Sequence, residues 1–405
     1  MRIAFLTLEF VTEYLDGGGI GNYLNRVSAA LSRLGHEVEI FTRAERDGTS
    51  THHGIPVHRV RSEVPQWLTR LFDLFPRRFR IPRTLATLRV AHRLRSVFLR
   101  RHKEAPFDVV QVPQFNAPGL FLSLNSPVPV VTRISNYEPA WRKAEGALPA
   151  LDRRLSEWLE LLAMRRSAGV YSPSRCLAQV IREHVGLSID VIPPPMFIET
   201  EMTDESVYAR NLANLRYLLF FGWITRLKGL YVLVEALRTV MPRCPDMHFV
   251  FVGQARWEAV QKILPPHAER IHYLSPLPHP QLYPIIRHSR GVVLPSLIDN
   301  LPNACLESMA LGRPVIGTRG ASFDELLVDG ESGFLVEPGD HHGLADAMLR
   351  LWALPDSQLD RMGEMGKRSL GRYSPEVACA QLEQFMSGIL ASATQEPRAW
   401  RISNK

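Results

Sequence analysis

From the first residue on, short apolar runs alternate with stretches of helical periodicity, and the chain runs through this alternation twice. Residues 2–7 read as a buried strand. After a glycine loop, Ile20, Leu24, Val27, Leu31 and Leu34 recur at helical spacing until Gly35 ends the turn, and residues 38–42 return as the next strand. Further strand-like runs at 57–60, 109–112, 128–134 and 170–172 extend the series to Pro193-Pro194-Pro195. A polar stretch, 199–214, reads as linker or surface turn before a second series opens at 217–221. It continues with a helix through Leu230, Leu233, Val234 and Leu237 and strands at 248–252, 291–294, 314–318 and 333–336. Repeated strand–helix alternation builds parallel sheets covered on both faces, so the expected fold is α/β, with two Rossmann-like doubly wound domains. The expected division is 1–195 and 196–374, with a closing helix at about 375–390 packing back on the first domain and a frayed tail over 391–405. Ligands of such sheets sit at the carboxyl ends of the strands, which places the expected site in a cleft between two facing domains.

A chain of 405 residues is long enough for two such cores, and 45% hydrophobic with 22% charged residues is an ordinary globular balance. No apolar run approaches the ~20 residues that span a bilayer, and the N-terminus lacks the pattern of a signal peptide, so a cytoplasmic protein is expected. Cys176, Cys244, Cys305 and Cys379 form no C-x-x-C pair, which fits a thiol-reducing compartment and gives no zinc pattern. Lys plus Arg exceed Asp plus Glu by 48 to 41, a net charge of +7 that suits anionic partners.

Three loops carry candidate chemistry. The first, Asp16-Gly17-Gly18-Gly19-Ile20-Gly21-Asn22, stands between a strand and a helix, where glycines let backbone amides approach a phosphate or a sugar hydroxyl. It does not match the dinucleotide pattern G-x-G-x-x-G, and a tight turn would need the same glycines. The second, Gly222-Trp223-Ile224-Thr225-Arg226-Leu227-Lys228-Gly229, places two cations ahead of a helix, as a diphosphate clamp or a solvated loop. The third runs from Pro295 through Asp299, Asn300, Leu301, Pro302 and Asn303 to Glu307, and leaves by Gly312-Arg313-Pro314-Val315-Ile316. Two carboxylates at a strand mouth accept hydrogen bonds from paired hydroxyls such as those of a sugar and a ribose. The bland alternatives are a helix cap for Asp299 and a surface charge for Glu307, yet Glu307 stands among Leu306, Met309 and Ala310, and a half-buried carboxylate needs a partner.

The order of Gly-Gly loop, Gly-x5-Lys-Gly, acid-x7-Glu and Gly-x-Pro-Val-Ile resembles the retaining glycosyltransferases of family 4, with the two-domain GT-B fold, over nearly the whole chain. The resemblance implies transfer of a sugar from a nucleotide diphosphate sugar, with the donor held by the C-terminal domain and the acceptor by the N-terminal one. No metal ion and no cofactor is implied. Carried over residue by residue, Glu307 would hold the donor ribose and Asp299 the transferred sugar. Lys228, with Arg226, would hold the diphosphate, and Gly222, Asn300, Leu301 and Asn303 would line the donor. Gly18 and Gly19 would lie against the phosphates, and Asn22, Arg133, Ser135 and Asn136 would stand on the acceptor side. The implied mechanism is front-face substitution, in which the protein supplies positioning and charge stabilisation without a dedicated general base. The chain departs from the pattern at Asp299, where Glu is usual, at Trp223 for Arg, at Pro302 for Gly, and at Ser135 or Asn136 for His. These departures point to a donor sugar other than the commonest, one altered at carbon 6.

Between Gln66 and Lys103 eleven cations face one acid, Asp73, with Trp67, Phe72, Phe75 and Phe79 among them. This composition suits an anionic membrane surface and a glycan or polyprenyl-linked acceptor, in synthesis of a cell-surface polysaccharide or glycolipid. The plainer alternative makes Val90, Leu94 and Val97 the core face of an ordinary helix. No nucleic-acid-binding motif accompanies the charge. Two other functions stay open: a GT-B-fold sugar-nucleotide epimerase, disfavoured because His184, His272, His279 and His288 fall outside the three loops, and a non-catalytic nucleotide-sugar-binding homologue.

Overall fold

The computed structural model describes residues 1–13, 19–63, 81–137, 151–197 and 203–395. Gly17, Gly18, residues 66–80 of the basic stretch and residues 396–405 lie outside them. The chain divides into two compact units: residues up to Pro195 together with Pro375 onward form unit one, and Met196–Ser374 form unit two.

Unit one contains strands β1 (Arg2–Thr7), β2 (Glu37–Ala44), β3 (Gly48–His52), β4 (Ile55–Arg61), β5 (Val109–Pro113), β6 (Val130–Arg133), β7 (Gly169–Ser172) and β8 (Asp190–Val191). Its helices before the linker are α1 (Gly19–Arg33), α2 (Pro82–Glu104), α3 (Leu120–Leu124), α4 (Leu151–Arg165) and α5 (Arg175–Val185). The sheet order is β3-β4-β2-β1-β5-β6-β7-β8, parallel throughout except for β3, which pairs antiparallel with β4. That hairpin was not expected: β3 is the polar run Gly-Thr-Ser-Thr-His at the sheet edge, without an apolar signal, and His53 and Gly54 turn it with φ of +48° and +80°.

Unit two contains α6 (Ser206–Asn211), β9 (Tyr217–Phe221), α7 (Leu230–Arg243), β10 (His248–Val252), α8 (Trp257–Gln261), β11 (Ile271–Leu274), α9 (His279–His288), β12 (Gly291–Leu294), α10 (Asn303–Ala310), β13 (Val315–Thr318), β14 (Gly333–Val336), α11 (His341–Ala353) and α12 (Asp356–Ser369). Its sheet runs β11-β10-β9-β12-β13-β14, all parallel. Strand residues alternate between two cores: Leu218, Phe220, Phe249 and Phe251 pack with Leu233, Leu237 and Met348, while Tyr217, Leu219, Val250 and Val292 pack with Ile285, Ile286 and Leu306. Such two-sided burial explains why these strands read as continuous apolar runs.

Two expectations need correction. The polar stretch before β9 is not all linker, because residues 206–211 form α6, held by the Ala209 amide on the Glu205 carbonyl and the Leu212 amide on the Tyr208 carbonyl. The last helix, α13 (Pro375–Gln395), runs past residue 390, so the tail begins later than expected; Cys379, Leu382, Met386 and Ile389 enter the core of unit one beside Ile3, Phe5 and Leu24. The described part of the basic stretch is α2, whose Val90, Leu94 and Phe98 are buried against Phe41 and Val110 and whose Val97 is partly buried there. Its Arg93 pairs with Asp47 and its Arg101 with buried Glu39.

Candidate functional site

Strand order in unit two reverses between β9 and β12, so the loops leaving their carboxyl ends diverge at the place where open parallel sheets receive ligands. Glycines let these loops meet backbone to backbone. Gly229, at φ +83°, lies so close to the loop after β12 that a Cβ there would fall 1.9 Å from the Pro295 carbonyl oxygen. Gly253, at φ +142° after β10, stands in the same relation to the Gly222 carbonyl, also at 1.9 Å. The Leu297 amide donates to the Leu227 carbonyl at 2.8 Å, and the Ile224 amide to the Gln254 carbonyl at 3.0 Å.

This backbone frame brings Lys228 and Asp299 together: Lys228 Nζ donates to Asp299 Oδ2 at 2.5 Å, with the aspartate side chain only 9% exposed. Asp299 also accepts from Ser296 Oγ at 3.3 Å and, through Oδ1, from the Asn300 amide at 3.0 Å. Asp299 is therefore not the cap of α10; Pro302 holds the N-cap position and offers no side-chain acceptor to the first-turn amides. Ser322 Oγ donates to the Asn300 carbonyl at 2.6 Å and pins the loop that carries Asn300, Leu301 and Asn303. Leu301 packs partly into the core beneath.

Glu307, one turn into α10, is buried and not a surface charge. Its Oε1 lies 3.7 Å from His279 Nε2, and that ring, at the start of α9, stacks on Tyr283 with centroids 5.2 Å apart. His279 lies outside the three loops in sequence, yet the fold brings it to Glu307, which weakens one argument against the epimerase reading. Arg226 is exposed, and with Trp223, Tyr231, Gln254 and Arg256 it lines a groove of about 410 Å³ to which Lys228 and Asp299 do not contribute.

In unit one the corresponding reversal lies between β1 and β5. Gly19 is the first residue of α1 and Asn22 is half-buried in its first turn, while Arg133 ends β6 and Ser135 and Asn136 follow it. Arg133 is 8% exposed, with its guanidinium carbon 3.8 Å over the ring of Tyr23. Tyr23 belongs to a buried ring of hydrogen bonds: its hydroxyl lies 2.8 Å from that of Tyr171, which donates to Gln111 Oε1 at 2.8 Å, and Gln111 Nε2 reaches back to Tyr23 at 3.5 Å. Burial pushes both phenols up, Tyr171 the further, so both are neutral. Glu9, just past β1, is also pushed up by burial, against the opposing charge of Arg43.

Of the residues singled out from the sequence, then, Lys228, Asp299 and Asn300 form one bonded cluster, Glu307 stands on the helix that follows it, and Arg226 lies apart. Sequence reasoning missed Gly253, Ser296, His279 and Ser322 in unit two and Tyr23, Gln111 and Tyr171 in unit one. A glycine directly after the apolar run 248–252 was a signal for the first. The others become visible only once helices and strands are packed. Among the described residues no group of three or more His, Cys, Asp and Glu is arranged to hold a metal ion.

Comparison with known proteins adds the family. Residues 216–353 match the model of glycosyl transferases group 1, and residues 18–195 that of the glycosyl transferase 4-like domain. The chain is 28% identical over 395 residues to D-inositol 3-phosphate glycosyltransferase of Arthrobacter sp. (strain FB24), covering 90% of this chain and 89% of the relative. It is 25% identical over 403 residues to MMP alpha-(1->4)-mannosyltransferase of Mycolicibacterium hassiacum, covering 91% and 93%. In fold it is similar to sucrose-phosphate synthase from Thermosynechococcus elongatus, with a TM-score of 0.76 at 18% identity over 97% of this chain and all (100%) of that one. It is likewise similar to Anabaena HepE in complex with UDP-glucose, with a TM-score of 0.68 at 16% identity over 95% of this chain and 99% of that one.

Proposed function

The chain belongs to the family 4 glycosyltransferases of GT-B fold, and from that premise we propose that it moves a sugar with retention of configuration from a nucleotide diphosphate sugar, held by unit two, to a glycan or lipid-linked acceptor at unit one. The observation that carries the donor assignment is the Lys228–Asp299–Glu307 constellation at the reversal of the unit-two sheet. A diphosphate needs a cation and backbone amides, and the loop before α7 and the uncapped start of α10 supply both kinds of donor. A ribose offers two adjacent hydroxyls, for which the buried Glu307 carboxylate is a two-oxygen acceptor. Asp299 then stands where the hydroxyls of the transferred sugar would be.

Breaking the bond to the diphosphate develops negative charge on the leaving oxygen, and Lys228 is the group that meets it. In the ligand-free arrangement Asp299 neutralises that lysine; the incoming diphosphate shares it, which orders both loops around the donor. The acceptor hydroxyl attacks on the face the diphosphate leaves, with a donor phosphate oxygen taking its proton, so no protein base is required. Proteins similar to this chain include D-inositol 3-phosphate glycosyltransferase and mannosyltransferases, and one of similar fold is in complex with UDP-glucose, which supports a nucleotide-sugar donor and a place in glycolipid or cell-surface glycan synthesis. The composition of residues 66–80 supports an anionic bilayer as the place of transfer; pelleting with phosphatidylglycerol vesicles and not with phosphatidylcholine vesicles is the expected result, lost on replacing Arg77, Arg78 and Arg80 by Gln.

The test is release of nucleoside diphosphate from a panel of nucleotide sugars with glycan and polyprenyl phosphate acceptors. Glu307→Gln is expected to lower kcat/KM about 100-fold, as for the loss of charged hydrogen bonds to a substrate. EDTA is expected to change nothing, and nuclear magnetic resonance of the product should give the same anomeric configuration as the donor. An inverted product would sink the retaining assignment; an isomerised donor formed without acceptor would favour the epimerase reading, to which the His279–Glu307 contact lends a specific observation.

A further inference from the structure

Arg133 is the most anomalous charge among the described residues. It is nine-tenths buried at the carboxyl end of β6, and its Nε atom has no hydrogen-bond partner. Among the described residues its only side-chain hydrogen bond is from Nη1 to Ser135 Oγ, at 3.5 Å, the outer limit of such a bond. No carboxylate of the described residues pairs with it. Arg290, one of two other similarly buried arginines, also has an unpartnered Nε, but its terminal nitrogens are settled: Nη1 bonds Asp356 at 2.6 Å while Nη2 donates to the Trp352 carbonyl at 3.2 Å and the Leu354 carbonyl at 2.5 Å.

The neighbours of Arg133 do not make good the difference. Tyr23 gives it a ring face, which returns only part of the hydration that burial removes. The hydroxyls of Tyr23 and Tyr171 are bonded to each other and to Gln111 in a closed ring, and burial keeps both phenols protonated, so neither is a counter-ion. Leu6, Ile20, Leu24 and Pro113 complete the lining around the guanidinium and offer no acceptor from their side chains. Three residues on, Asn136 holds a buried Oδ1 that also has no partner.

We propose that Arg133 is the receptor for an oxyanion, a phosphate or carboxylate group, carried by a substrate that binds at the carboxyl edge of the unit-one sheet. A guanidinium whose carbon lies 3.8 Å over an aromatic ring can still offer an edge for a bidentate contact, the geometry that carboxylates and phosphates match. The first two turns of α1 pack beside it, through Ile20, Tyr23 and Leu24, so the positive end of the helix lies toward the same edge. The orphan oxygen of Asn136 suits a hydroxyl on the same molecule. The proposed transfer reaction leaves the charge of the acceptor open; this assignment deepens it, and rests on it only for the source of the anion, which is either the acceptor or the donor diphosphate.

The test is thermal protection and calorimetry of the full chain with two probes, inorganic phosphate and UDP, on the native protein and on Arg133→Met, Arg133→Lys and Lys228→Ala. Methionine keeps the bulk under Tyr23 and removes the charge. Phosphate is expected to protect the native protein and Lys228→Ala, to bind Arg133→Met about 10- to 150-fold more weakly, and to retain intermediate affinity for Arg133→Lys. Without ligand, Arg133→Met should melt at or above the native temperature, since an unpaired buried cation has been removed. If UDP binds Arg133→Met as it binds the native chain, the anion belongs to the acceptor; if UDP affinity falls with phosphate affinity, it belongs to the donor diphosphate. Equal phosphate protection of Arg133→Met and the native chain, or a large fall in the melting temperature of ligand-free Arg133→Met, would overturn the assignment and make Arg133 a structural residue. Loss of UDP binding in Lys228→Ala tests the donor site separately, so failure of one assignment does not disguise failure of the other.

Discussion

At the scale of single residues, charge and burial decide which groups are committed to structure. Glu39 is buried on β2 and accepts from His58, Arg101 and Arg2. Burial alone would raise its pKa, but those three partners together hold the carboxyl well below its ordinary value of 4.5. A depressed folded-state value means that the stabilisation is present above 4.5 and is lost as pH falls below it. Glu39→Gln is thus expected to cost about 2 kcal/mol at neutral pH, with the gap to the native protein narrowing below pH 4.5, as read from urea unfolding at several pH values. The cysteines behave the same way toward reagents. Burial pushes Cys305 and Cys244 up and Cys379 up to about 12, while Cys176 is the one partly exposed thiol, so one of the four should react rapidly with a disulfide reagent in the native state. Fast reaction of two or more would contradict the packing described. For Glu307, its setting among Leu306, Met309 and Ala310 already demanded a partner. That the partner is His279 was not legible, because the contact depends on how α9 packs beside α10, across 28 residues of sequence.

Elements place these residues, and their glycines set the tolerance. The strand–loop–helix units around β9 and β12 were readable because buried parallel strands write themselves as apolar runs and their loops as glycine and proline. What the pattern did not carry was the contact between loops. Gly229→Ala meets both a positive φ and the Pro295 carbonyl, and is expected to cost about 3 kcal/mol and to weaken nucleotide binding, since Lys228 is its neighbour. Gly222→Ala meets a φ of +113° but open space, and should cost less, about 1–2 kcal/mol. Equal effects of the two would mean that backbone conformation alone, not the close approach of the loops, matters there. The β3–β4 hairpin and α6 escaped sequence reading for a related reason: short polar elements at a sheet edge or on a surface are fixed by neighbours rather than by their own periodicity.

Over the whole molecule, the repeated βα series announced two domains, and the proline run at 193–195 marked where one gives way to the next. The return of the chain after residue 374 has an energetic meaning. Leu382, Met386 and Ile389 of α13 are buried in unit one, at about 1.5–3 kcal/mol each, which rivals the net stability of a domain. Truncation after Ser374 should therefore unfold unit one while unit two keeps a cooperative transition, a result that calorimetry of the shortened chain reads directly. The chemistry was legible more unevenly than the fold. Lys228, Asp299 and Glu307 stand in recognisable spacing, whereas the groove that Arg226 lines and the unpaired setting of Arg133 among the described residues emerge only from the packed fold.

The central claim, that unit two holds a nucleotide diphosphate sugar through Lys228, Asp299 and Glu307, is tested most directly by thermal melting of the full chain with UDP, GDP, ADP and dTDP in turn. At 100-fold over its dissociation constant, the matching nucleotide stabilises by about 2.7 kcal/mol, and the account expects this shift in the native protein and its loss in both Lys228→Ala and Glu307→Gln. A shift of equal size in all three proteins, or none in the native protein with any nucleotide, would contradict it.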